Sequence, residues 1–106
     1  MNIKFEYMYR DAGNYKLYNT CVLTNRFHKP VDELETRIRK SLIDEEYFNP
    51  VKCKIPKLEF PDNDDDLDHN WHEFLSISST DEAPDLQLDI LEFVQLSTVA
   101  HCKAFP

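Results

Sequence analysis

The stretch from Asn2 to Arg10, NIKFEYMYR, alternates without a break. Ile3, Phe5, Tyr7 and Tyr9 fall on one side of an extended chain, and Lys4, Glu6, Met8 and Arg10 on the other. A period of two marks a strand with one face on a core and one towards water; a helix would scatter the same residues around its circumference. The only glycine, Gly13, follows in DAGN (11–14), where a tight turn favours a residue free to take positive φ. Beyond it YKLYNTCVLTN (15–25) alternates again, with Leu17, Cys21 and Leu23 against Tyr18, Thr20, Val22 and Thr24. Two alternating runs joined by a short turn predict an antiparallel hairpin, and the rest of the chain must cover its apolar face.

The first cover is predicted in KPVDELETRIRKSLIDEEYF (29–48). Val31, Leu34, Ile38 and Leu42 recur at helical spacing, and Asp32 with Glu35 three residues later has the form of a capping box. Arg37, Arg39 and Lys40 come late, towards the negative end of the dipole, so the helix is expected to run to about Glu46, ahead of Asn49-Pro50. Prolines 50, 56 and 61 then cut the chain into extended pieces that lay Ile55, Leu58 and Phe60 over the core. HEFLSISST (72–80) favours a further strand. In DLQLDILEFVQLSTVAH (85–101), Leu86, Ile90, Phe93 and Val94 point to a helix capped by Asp85, while the alternation of Leu86, Leu88 and Ile90 leaves a strand open there. The predicted class is α+β: an N-terminal antiparallel hairpin, a central helix packed on the sheet, a strand after an acidic loop, and a C-terminal helix, with helices on one face.

At 106 residues the chain fits one domain, residues 1–106, with enough length for one core. Residues 1–83 read as that core and 84–106 as a hydrophobic C-terminal segment. Ile90, Leu91, Phe93, Val94 and Leu96 are too apolar to be left in water; they complete the core or bury against another copy, and a homodimer through this segment is the expectation. No apolar run approaches the roughly 20 residues of a membrane span, and the N-terminus lacks the apolar stretch of a signal peptide. A soluble, cytoplasmic protein without a membrane role is expected.

Charge and glycine content remove several functions. Residues 1–58 hold 11 Lys/Arg against 8 Asp/Glu, whereas residues 59–106 hold 1 against 12. With a net charge of −8, the chain is a poor match for a phosphate backbone, and nucleic acid is not expected as a partner. A single glycine excludes the Gly-rich phosphate loops and the G-x-S-x-G nucleophile elbow. Cys21, Cys53 and Cys102 are odd in number and far apart, which argues for small buried thiols rather than a disulfide framework or thiolate zinc site. A Cys–His nucleophile assembled from these and His28, His69, His72 or His101 has no local signature.

One stretch carries most of the remaining chemistry: DNDDDLDHNWHEF (62–74). Counted from Asp62, the residues Asp62, Asp64, Asp66, Asp68, Asn70 and Glu73 occupy ligand positions of an EF-hand loop, because alternating oxygens can wrap a hard cation. Leu67 stands where that loop needs glycine, and no helix precedes it. A transition-metal reading takes Asp64, Asp66, Asp68, His69, His72 and Glu73; on a helix the two histidines share a face, on a strand they separate. The plain reading is a solvated acidic loop anchored by Trp71 and Phe74. Between these stands a partner surface of Asp64, Asp65, Asp66, Asp68, Trp71 and Glu73, an aromatic set among acids and suited to a basic protein.

Three segments, YRDAGNYK (9–16), LIDEEYF (42–48) and DHNWHEFLSI (68–77), together resemble a family of small acidic bacterial proteins without an assigned activity. The resemblance spans roughly residues 1–83. Members carry glycine where Glu45 stands, and tails more polar than LDILEFVQLSTVAHCKAFP. It implies no activity, cofactor or partner. The expectation is therefore a small non-catalytic interaction or regulatory module with an acidic binding surface and no cofactor, the alternative being a divalent-metal protein or metal-dependent hydrolase built on the cluster at 62–73.

Overall fold

The computed structural model describes residues 1–11, 13–60 and 71–101. Its elements are β1 (Asn2–Arg10), β2 (Lys16–Leu23), α1 (Val31–Ser41), β3 (Tyr47–Phe48), β4 (His72–Thr80) and α2 (Ile90–His101). The four strands form one antiparallel sheet in the order β2-β1-β4-β3. This is the predicted α+β architecture, with one short strand added. The hairpin pairs along its whole length, from Ile3 opposite Leu23 to Arg10 opposite Lys16. Its turn uses Asn14, at φ 69°, as the left-handed residue; Gly13 does not take positive φ.

β1 also pairs with β4, and there the register slips: Glu6 faces Ser76 but Tyr7 faces Phe74. Leu75 is thus the extra residue of a β-bulge. The bulge keeps His72, Phe74 and Ile77 on the same buried side, although Phe74 and Ile77 are an odd number of residues apart. That is why HEFLSISST does not alternate cleanly.

On the covered side the Phe5 ring centroid lies 4.9 Å from that of Phe93, 5.3 Å from Phe74 and 5.9 Å from Phe48. Leu34 and Ile38 of α1 and Ile90 and Phe93 of α2 are fully buried against this aromatic cluster. The apolar C-terminal segment therefore completes the core of its own chain. The reason for expecting a dimer through it, a core already closed by residue 83, does not hold.

Both helices start later or stop earlier than their local signals indicate. Pro30 occupies the N-cap of α1, where it has no side chain to offer the helix, and Asp32 sits inside the first turn. The helix ends at Ser41 because Ile43 and Tyr47 close a tight turn, exchanging backbone bonds of 2.9 Å, with Asp44 and Glu45 both left-handed at φ 52° and 59°. Tyr47 and Phe48 then pair with Glu73 and His72 as β3.

Asp85 does not cap α2. Residues 85–89 bend past the end of β2, where the Asp85 N–H donates to Val22 O, the Thr24 N–H to Leu88 O and the Ile90 N–H to Thr24 O. The cap is Asp89, whose Oδ2 accepts the Leu91 N–H at 3.1 Å while its Oδ1 accepts the Thr24 hydroxyl and the Arg26 N–H, both at 2.8 Å. The helix reading thus holds from Ile90 on, and the strand reading does not: only an isolated bridge between Asp89 and Thr24 forms there. Among the described residues no helix is long and apolar enough to cross a membrane.

Candidate functional site

Of the acidic stretch, Asp62, Asp64, Asp65, Asp66, Asp68, His69 and Asn70 lie outside the described residues. Trp71, His72 and Glu73 are described, and the start of β4 sends them to three different surroundings. Trp71 is exposed at 40%, with its ring edge towards His101, the centroids 6.0 Å apart. His72 is fully buried on the covered face among Tyr7, Tyr9 and Phe48. Glu73 points to the opposite face, where Arg10 Nε lies 3.0 Å from its carboxylate. Strand geometry therefore separates His72 from Glu73, as the strand reading of this stretch anticipated.

Each of these two side chains has a bonding role of its own. The Leu58 N–H donates to His72 Nε2 at 2.9 Å, so this nitrogen is an acceptor. The Glu73 carboxylate, 11% exposed, is engaged by the Arg10 guanidinium. Of the six residues singled out for a partner, only Trp71 among those described is exposed; Glu73 is a buried member of an ion pair. Among the described residues no three His, Cys, Asp or Glu side chains converge as metal ligands would.

A second arrangement escaped the sequence reading. Three hydrogen bonds tie the proline-cut segment after β3 to the body. The Asn49 N–H donates to His101 Nε2 at 3.0 Å, the Tyr7 hydroxyl donates to Pro56 O at 2.7 Å, and the Leu58 N–H bonds His72. His101 Nδ1 lies 3.3 Å from Ser41 O, so the neutral ring donates to the end of α1 and accepts from the segment. Burial is the main cause that holds the His101 pKa below its ordinary 6.5, partly opposed by the bond to Ser41, with nearby Lys52 adding to the depression. Burial also pushes Tyr7 up to about 12, so its hydroxyl remains a donor. The only advance signal for this arrangement was the presence of histidines among apolar residues, which the sequence reading considered only as metal ligands or as partners of a cysteine.

The described cysteines do not form a reactive site. Cys21 and Cys53 are buried, and burial pushes both thiols up to about 12, opposite to the shift a nucleophilic thiolate needs.

The charge asymmetry is largely folded back on itself. Lys4 pairs with Glu82, Arg10 with Glu73 and Lys54 with Glu92, each joining a cation of the first half to an acid of the second. Asp85 and Asp89 accept backbone N–H groups. No family model, curated protein or solved structure matches the chain.

Proposed function

We propose that this chain is a small non-catalytic interaction module that meets a basic protein partner through Asp62 to Asp68 and the neighbouring Trp71. One observation carries the reading. Outside that run the acids of the second half are largely committed to the fold, as ion-pair partners or as acceptors of backbone N–H groups. The run itself holds five aspartates in seven positions, and the sequence places no lysine or arginine between Lys57 and Lys103. Close carboxylates in water repel each other by about 1 kcal/mol per pair, a cost that a cationic partner offsets. Trp71, exposed immediately before β4, supplies an apolar anchor of the kind interfaces favour.

The test is Asp64→Asn, Asp65→Asn and Asp66→Asn together. Melting temperature should stay the same or rise, while association with the basic partner slows and loses its dependence on salt, since exposed charges are screened within about 8 Å at physiological ionic strength. Calorimetric titration of the unmodified chain with calcium, manganese and zinc addresses the metal reading. Stoichiometric binding at low micromolar affinity, lost in the triple variant, would replace the interaction reading with a metal site.

A further inference from the structure

β2 is an edge strand, and part of its outer edge is open. Val22 and Thr24 turn their backbone groups outward, to Asp85, Leu88 and Ile90. By the two-residue period, the N–H and C=O groups of Lys16, Tyr18 and Thr20 face the same way. No described residue pairs with them. The open row is bounded at one end by the segment from Asp85 and at the other by the left-handed turn at Asn14.

We infer that this row is a self-association site, where a second copy of the chain adds its own β2 antiparallel about a two-fold axis through Tyr18. The row has an odd number of positions centred on Tyr18, so it complements itself. Tyr18 falls opposite Tyr18 of the second copy, Lys16 opposite its Thr20, and every open backbone donor meets an acceptor.

The side chains support the same register. Lys16, Tyr18 and Thr20 stand opposite Arg10, Met8 and Glu6, on the face the helices do not cover. Crossing the axis from Lys16, the next residues in the row are Thr20 and then Glu6 of the second copy. Lys16 makes no ion pair among the described residues, and Glu6 accepts only the Ser76 hydroxyl there. The two Cα atoms would stand about 10 Å apart, a span that an extended lysine and glutamate close. Two such pairs form per axis, and the Tyr18 rings, 64% exposed in the single chain, cover each other. A lysine on an open edge ordinarily discourages strand pairing. Here it selects a partner strand that brings an acid to it, which the same strand of a second copy does. On the opposite edge of the sheet Arg39 is already engaged with Glu45 O and Leu75 O, and the exposed Ser78 and Ser79 carry no charge to set a register.

The interface is small, below the roughly 1,200 Å² of stable complexes, so a dissociation constant of tens of micromolar is expected. Sedimentation equilibrium of the full chain between about 1 and 500 µM should show a monomer–dimer equilibrium. Lys16→Glu and Glu6→Lys should each weaken it about tenfold, and the double exchange should restore it. Within one chain Lys16 faces Arg10 and Glu6 faces Thr20, so rescue by the exchange reports a contact between copies. Tyr18→Pro removes the central outward N–H and leaves the bonds to β1 in place; it should abolish the dimer with the circular dichroism of the fold retained. A monomer at every concentration overturns the proposal. So does a dimer that neither Lys16→Glu nor Tyr18→Pro weakens, which would belong to another face.

Discussion

On the covered face of the sheet, Phe5, Tyr7, His72 and Phe74 are inaccessible to water and meet rings from β3 and α2. On the other face Lys4, Arg10, Glu73 and Glu82 are arranged in ion pairs, three of the four at least a third exposed. The same strands build both. The covered face depends on shape and on a few part-buried bonds, such as those of Tyr7 and His72; the open face depends on charges that water can replace. Stability should therefore reside on one side and adaptability on the other.

The largest break in that contrast is expected from Phe93→Ala. It leaves a cavity between Phe5 and Phe48 and should cost about 3–5 kcal/mol in urea denaturation. A loss below about 1 kcal/mol would mean that α2 does not belong to this core. Next comes His72→Phe, which keeps a ring in the aromatic nest but removes the acceptor for the Leu58 N–H. Stranding that donor should cost about 1–3 kcal/mol, and amide exchange at Leu58 should accelerate.

Acidification addresses the other histidine. The folded-state pKa of His101 lies below 6.5, so the unfolded chain takes up its proton first. Its contribution to stability is full above about pH 6.5, falls as the pH drops below that value, and is wholly lost below the folded pKa. The charged ring cannot accept the Asn49 N–H. Melting temperature should thus decline from pH 7 towards pH 5, and His101→Asn should flatten that slope. The smallest effect is expected on the open face. Glu73→Gln weakens a pair whose arginine is 39% exposed, and should cost no more than about 1 kcal/mol, less in high salt.

The contrast also explains what could be read from the chain beforehand. Residues 2–10 were legible because a strand with one wet face writes its period directly into the sequence. β4 was legible as a strand, although its bulge hid which residues face inward. β3 is two residues long and exists through its pairing with Glu73 and His72, so nothing local distinguishes it from the end of α1. Asp32-x-x-Glu35 imitates a capping box, yet Pro30 sets the helix start one residue before Asp32. Asp85 and Asp89 both precede leucine or isoleucine, and the choice between them rests on Thr24 and Arg26, more than sixty residues away.

The candidate site was legible in composition and not in role. A histidine beside tryptophan in an aspartate run looks like a ligand. That His72 instead accepts from Leu58 within an aromatic nest depends on residues 7, 9 and 48, whose nearness the sequence does not state. Asp62 to Asp68 lie outside the described residues, so the partner reading of that run rests on its charge.

The central place of β1 has a consequence for how the chain is made. β2 ends at Leu23 and β4 begins at His72, 49 residues later, an interval that translation covers in roughly 2–10 s at 5–20 residues per second. During that time the hairpin is on its own, with one edge of β1 bare and Phe5 and Tyr7 wet. Two-stranded hairpins are marginal in isolation, and a bare apolar strand is a template for aggregation. A ribosome stalled before β4 would therefore hold a sticky nascent chain, one that binds chaperones or aggregates with its neighbours. Synonymous codons that slow translation between residues 25 and 72 should lower the soluble yield while leaving the purified protein unchanged.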